Sequence, residues 1–315
     1  MQFDRRQMLG VAAGSFVGLS QAASAQAAKP KTNKSQFTYC FNTSTIRGQE
    51  LDLAEEVEIA AKAGYDGIEP WLRKIDAYRE SGGSLSDMKK RISDHGLKVE
   101  SAIGFAQWIV DDATQRAKGF EHAKRDMDTL RQIGGLRIAA PPTGATRKAG
   151  LNLFAAAERY ARLLELGDEM GVVPQVEVWG FSKNLSRLGE TLFVAVESGH
   201  PKACVLPDVY HIFKGGSDFE GLNLLSGPAI QVFHVNDYPS EPPREKMGDA
   251  DRVYPGDGVA PLDDILGGLR TKNSPVALSL ELFNRTYWKQ DALEVAKTGL
   301  QKMKAAVKRV EEPAA

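Results

Sequence analysis

Cysteine is scarce in this chain: of 315 residues only Cys40 and Cys204 are cysteines, both inside apolar runs, FTYCF and KACVL. Two such residues make neither a disulfide framework nor a cysteine-rich zinc site, so both read as core packing. An excess of charge of either sign is also missing. The 40 Lys plus Arg against 41 Asp plus Glu leave a net charge of −1, which removes the electrostatic basis for a nucleic acid partner and leaves a small molecule as the expected ligand. The N-terminal apolar stretch, Val11 to Leu19, is much shorter than the ~20 residues that a membrane-spanning helix needs.

That short stretch has informative neighbours. Asp4-Arg5-Arg6-Gln7-Met8-Leu9-Gly10 precedes it, and small residues including Ala23-Ser24-Ala25 and Ala25-Gln26-Ala27 follow. A charged segment, a short apolar segment and an A-x-A-like site describe a signal peptide over residues 1–27. The paired arginines predict the twin-arginine export machinery as a partner. The mature protein is then expected to be periplasmic or otherwise exported, with no stable membrane association after cleavage. Residues 28–36 read as a polar tether.

From Phe37 to about Val310 short β-rich runs alternate with longer segments of helical spacing, with no break in composition. Ser84, Asp112 and Asp291 stand where helix N-caps are expected, and Gly96 and Gly171 where helices should stop. Eight such pairs predict one α/β domain over residues 37–310, a parallel (β/α)8 TIM barrel; the alternative is a doubly wound open sheet. The barrel is favoured because four consecutive strand candidates end in metal-capable side chains: VVPQVEVWG in Glu177, ACVLPDVYH in Asp208, IQVFHVND in His234 and VALSLELF in Glu281. A closed barrel aims all its strand ends at one centre, whereas an open sheet binds chiefly at its switch point. Strand alternation puts Gln175, Glu177 and Trp179 on one face and the valines of that run on the other. In the eighth strand it groups Glu281 with the small residues Ala277 and Ser279.

Three carboxylates in one cavity repel one another, and a divalent cation resolves the conflict. One histidine with three carboxylates is an oxygen-rich set best suited to Mn²⁺, with Mg²⁺, Co²⁺ and Zn²⁺ also compatible. Glu177, Asp208, His234 and Glu281 are therefore the expected ligands of one metal ion. Such an ion, chelated by the carbonyl and adjacent hydroxyl of an α-hydroxyketone, acidifies the C–H between them. Glu177 and Glu281, from opposite sides of the ring of strands, are the expected acid/base pair, acting through an enediolate. Trp108, Trp179 and Trp71 are candidates for stacking on a sugar, Glu69 for orienting a ligand or substrate, and Asn236 for substrate contact beside His234. His95, His122 and His200 read as surface or capping residues. The long loop from Tyr238 to Val259 reads as a lid or wall.

GYDGIEPW, DHGLKVES, VEVWG, LPDVYH, FHVND, RVYPGDG and LSLELF together resemble the sugar phosphate isomerase/epimerase superfamily, the xylose-isomerase-like barrels. That resemblance implies a metal-dependent isomerase or epimerase of a ketose or keto-sugar, with the same four metal ligands. It also matches His211 and Arg252 to positions that hold substrate oxygens. Where epimerases of this group often continue from the strand-five glutamate into E-x-x-N-R, this chain reads EVWGFSKN, and Asp237 stands where the pattern has glutamate. A keto-sugar or inosose dehydratase or lyase is the alternative, followed by an exported carbohydrate-binding barrel without turnover. Five histidines and balanced charge argue against the endonuclease IV branch, and a homo-oligomer is compatible with all of these readings.

Overall fold

The computed structural model describes residues 35–312. The signal segment lies outside the described residues, as does most of the tether. The tether's last two residues are not free: the Ser35 hydroxyl donates to Glu311, and the Gln36 amide donates to the carbonyl of Leu269.

Eight parallel strands form the ring: β1 (Phe37–Asn42), β2 (Gly67–Glu69), β3 (Lys98–Val99), β4 (Arg137–Ala140), β5 (Val173–Glu177), β6 (Val205–Leu206), β7 (Val232–Val235) and β8 (Val276–Leu280). Two ladders, β3-β2-β1-β8-β7 and β4-β5-β6, account for most of the pairing. Two seams close them. The Ala139 N–H donates to the Ala102 carbonyl between β3 and β4, and isolated bridges Val205–Ile230 and Asp208–His234 join β6 to β7. The sheet is thus a barrel, as the strand ends implied.

Nine α-helices surround the ring among the described residues: α1 (Leu53–Ala63), α2 (Leu72–Glu80), α3 (Leu85–Asp94), α4 (Ala113–Gln132), α5 (Leu153–Met170), α6 (Leu188–Glu197), α7 (Val209–Gly215), α8 (Leu262–Thr271) and α9 (Ala292–Glu311). Their ends follow from local chemistry. Ser84, Asp112 and Asp291 accept N3 backbone N–H groups as N-caps, each worth ~1 kcal/mol. Gly171 ends α5 at φ +68°, a left-handed conformation that costs glycine nothing. Along α9, Val295, Leu300, Met303 and Val307 are buried against the barrel, each contributing roughly 1.5–3 kcal/mol of apolar burial.

Strand alternation divides the core in two. Phe41, Val176, Phe233, Leu278 and Leu280 face the helices, while Cys40, Ile103, Ala139, Leu206, Val232 and Ala277 fill the barrel interior. The interior layer is small and apolar, so it plugs the barrel and shuts water out beneath the carboxyl-terminal ends of the strands. Both cysteines are buried and unpaired, in keeping with packing roles.

Candidate metal centre and active site

Each polar side chain of the upper rim is fixed by the element that carries it. β6 stops at Leu206, before Pro207, and Asp208 turns to cap α7, its Oδ1 accepting the His211 N–H at 2.8 Å. The bridge between Asp208 and His234 sets these two residues side by side across the seam. Behind His234 lies Glu69, fully buried at the end of β2. One oxygen of Glu69 accepts from Ser279 Oγ at 2.6 Å and Asn42 Nδ2 at 2.9 Å, and lies 3.0 Å from His234 Nε2. That contact is a hydrogen bond when the imidazole hydrogen stands on Nε2 and the Glu69 oxygen accepts it.

Nδ1 of His234 then points its lone pair toward carboxylate oxygens, 3.3 Å from Glu281 Oε2 and 3.7 Å from Asp208 Oδ2, and makes no hydrogen bond. A lone pair facing two anionic oxygens is repulsive unless a proton or a cation lies between them. The proton solution shows in the electrostatics: burial lowers His234, but Glu281 and Glu69 outweigh it and raise the imidazole well above its ordinary value. The cation solution fits equally well. Ligand atoms of Asp208, His234 and Glu281 all lie within 4.8 Å of one another and are buried. The Glu69 contact is the outer-shell support that metal-bound histidines use.

Glu177 is not part of that three-residue cluster. It ends β5, separated from β8 by β6 and β7, and lines a cavity of about 250 Å³ with Glu281, His211, Arg252 and Asp249. Its Oε2 is buried without a partner. Burial pushes its carboxyl well up, helped by Glu281 and Asp208 and opposed by His234. Glu281 goes the other way: burial would raise it, but His234, Arg252 and His211 hold it well below the usual carboxylate range. The two glutamates of one cavity thus favour opposite protonation states.

Arg252 is buried and ties the floor together. Its Nη1 donates to Asp208 Oδ2 at 3.0 Å and to Glu281 Oε2 at 2.8 Å; its Nη2 donates to Asp249 Oδ1 at 2.6 Å and to His211 Nε2 at 3.1 Å. His211 therefore accepts through Nε2 and carries its hydrogen on Nδ1, which has no partner. Burial, and the nearby Arg252, lower the pKa of His211 although Asp208 opposes them, so the ring is neutral and offers one N–H.

Arg252 belongs to the long loop, which is a wall. Asp237 pins it: one carboxylate oxygen accepts the N–H groups of Gly256 and Gly258, the other those of Tyr238 and Ala260. A Cβ at Gly258 would collide with that carboxylate, which explains glycine there. The same holds for Gly180, where a Cβ would strike the carbonyl of His211. Asp237 therefore positions Arg252 through the loop.

The remaining candidates divide. Trp179 and Trp71 line the cavity together with Ile103, Phe105, Phe181 and Phe283. Asn236 is completely buried, donates to Asp208 Oδ2 at 3.1 Å and is not among the residues that line the cavity, so it orients that carboxylate. Glu69 likewise orients His234 from below. Trp108 does not belong to the site: its indole N–H donates to the Pro141 carbonyl and its ring packs 5.7 Å from Tyr160 in the helix-facing core. His122 pairs with the buried Asp126 and the half-buried His200 with Asp168, and neither histidine lines the cavity. The sequence reading missed Asn42, whose Nδ2 reaches both Glu69 Oε2 at 2.9 Å and Glu281 Oε1 at 3.2 Å. Its signal was present, since FTYCFN is also an apolar run ending in a polar side chain.

A closed parallel barrel with one imidazole and several carboxylates converging at its carboxyl-terminal rim defines the class: an α/β barrel with a cation-capable upper end. Residues 57–306 match the family model described as xylose isomerase-like TIM barrel, and the chain belongs to that family. It is similar to the inosose isomerase of Bacillus velezensis, with 27% identity over 275 residues that cover 86% of this chain and 97% of the relative. Among solved structures it resembles the IOLI protein with a binding zinc atom, at TM-score 0.81 and 23% identity, covering 87% of this chain and 99% of that one. It also resembles L-ribulose 3-epimerase, at TM-score 0.70 and 18% identity over 87% of this chain and 95% of that one.

Proposed function

We propose that the protein is a divalent-metal-dependent isomerase or epimerase of a ketose or cyclic keto-sugar. The observation that carries the reading is the orphaned Nδ1 of His234, aimed at Asp208 and Glu281 in a buried pocket. The inosose isomerase and epimerase relatives support the same class. Asp208, His234 and Glu281 would hold the ion, with Glu177 within the same cavity as a further carboxylate. The oxygen-rich character of this set favours manganese over zinc. When bound, the ion would polarise a carbonyl and its neighbouring hydroxyl and so acidify the C–H between them.

The protein's own groups account for the rest. An ionised carboxylate removes that proton, the electron pair moves into an enediolate, and a protonated carboxylate returns a proton from the other side. Glu281 and Glu177 have the opposite protonation states that such an exchange needs. The His211 Nδ1–H is free to donate to the enediolate oxygen. The aromatic wall covers the apolar face of a sugar ring, and the plugged barrel interior keeps water from the reacting carbon.

The test is hydrogen exchange. Incubated in D₂O with a panel of ketoses and inososes, the metal-loaded protein should place deuterium on one carbon next to a carbonyl, read by NMR. Glu177→Gln should slow this by about 10²–10⁴-fold. A wild-type protein that binds these sugars with its metal in place yet exchanges no hydrogen would instead be a carbohydrate-binding barrel.

A further inference from the structure

Two arginines beside Trp71 are unexplained by the metal centre. Arg47 lies in the 3-10 turn after β1 and lines the cavity; Arg73 lies in the first turn of α2. Their guanidinium carbons stand 5.3 Å and 4.2 Å from the ring of one residue, Trp71. Trp71 is itself a cavity wall and is tied to the floor, its indole N–H donating to Asn42 Oδ1 at 3.1 Å. The two cations are thus held in fixed relation to the groups that would carry the chemistry.

Both side chains are exposed, and each stacks on the same ring. Among the described residues neither guanidinium forms an ion pair or a hydrogen bond, whereas the neighbouring Lys74 reaches Glu56 and the Leu51 carbonyl. Arg73 occupies the second position of α2, whose first turn contains no acidic residue, and a helix N-terminus disfavours cations. Burial, and then Arg47 itself, lower the pKa of Arg73, while Glu56 opposes them. Stacking on Trp71 compensates in part. A plain surface role explains neither the doubling of charge nor its convergence on one cavity-lining ring.

The geometry points to an oxyanion subsite: Arg47 and Arg73 hold a carboxylate or phosphate substituent of the sugar while its keto end faces Glu177 and His234. This deepens the isomerase reading and depends on it for where the reacting carbon lies. Planar guanidinium groups match both oxyanions, often through paired hydrogen bonds. An anion between them relieves their mutual repulsion and the conflict with the α2 dipole together. The cavity of about 250 Å³ is smaller than the ~300–1,000 Å³ of drug-sized sites, which suits a single sugar ring with its substituent at the mouth.

Calorimetry on the purified full chain tests this without turnover. The probes are inorganic phosphate, D-glucuronate and, as the neutral control, D-glucose, each titrated with the metal present and after chelation. At least one anion should bind about tenfold or more tighter than glucose, survive chelation and weaken with salt. Whether phosphate or glucuronate binds better decides between a phosphate ester and a sugar acid. Arg47→Gln and Arg73→Gln should each weaken that binding by about tenfold or more, with unchanged circular dichroism, and Arg47→Lys should retain part of it. Anion binding that is lost on chelation, that glucose equals, or that both glutamine variants keep would overturn the subsite. Anion binding without deuterium exchange on any ketose would defeat the isomerase reading and leave the subsite standing. Exchange on neutral ketoses with no anion binding would do the reverse.

Discussion

At the amino-terminal ends of the strands a hollow of about 440 Å³ is lined by Lys89, Lys98, Glu100, Arg137 and Gln231 among others; at the carboxyl-terminal ends the cavity holds about 250 Å³. The larger hollow is the less equipped. Its half-buried polar groups bond to each other, Arg137 donating to Gln231 Oε1 at 2.7 Å and to the Glu100 carbonyl at 3.2 Å. At the upper rim Glu177 Oε2, His211 Nδ1 and His234 Nδ1 are buried with nothing to bond. No residue that lines the larger hollow has such an unpartnered atom, so unspent polar capacity, and not volume, separates the two ends.

The comparison breaks most visibly through the metal. Asp208→Ala removes one of three clustered ligands, and metal analysis should fall from about one ion per chain to none. Glu69→Gln leaves Asp208, His234 and Glu281 in place but replaces the carboxylate group that contacts His234 Nε2, so metal affinity should drop about 10–100-fold. A variant lacking Asp208 that still carries a full complement of metal would place the ion elsewhere.

The reach of the sequence can be judged on the same residues. Alternation along β5 and β8 put Glu177 and Glu281 inward with Ala277 and Ser279, because a strand has only two faces. Caps were legible for a similar reason: Ser84, Asp112 and Asp291 each satisfy a fixed local geometry. α2 went unnoticed because Trp71 gives it no side-chain cap and its first turn holds Arg73 and Lys74 in place of acids. Trp108 was misplaced because it lies in an irregular segment, where no period says which way a side chain turns. Nor does spacing show how far a carboxylate stands from its neighbours, so Glu177 reads like Asp208, His234 and Glu281 although it lies outside their cluster.

A buried charge away from the site sharpens the contrast. Glu56 of α1 is buried with one oxygen unpartnered, and burial, against the pull of Lys74, pushes its carboxyl up to about 7. The folded protein therefore keeps this proton in a window where the unfolded chain has lost it. Stability should fall as pH rises from about 4.5 to about 7, by on the order of 3 kcal/mol, and the full cost remains above that window. Glu56→Gln cannot ionise and should lack this slope in urea unfolding at a series of pH values. An identical slope in wild type and variant would assign it to other groups.

The smallest effect belongs to the lower hollow. Arg137→Met keeps the apolar stem of the side chain and removes its bonds to Gln231 and Glu100. The Arg137–Glu100 pair, 3.3 Å apart, keeps some contact with solvent, so its loss should cost about 1 kcal/mol or less in urea unfolding. Deuterium exchange should stay at the wild-type rate, because Cys40, Ala139, Leu206, Val232 and Ala277 separate the two ends with a dry layer. An exchange rate that fell about tenfold in this variant would mean that the layer transmits the state of one end to the other. The lower hollow would then belong to the catalytic apparatus, and the contrast between the two rims would fail.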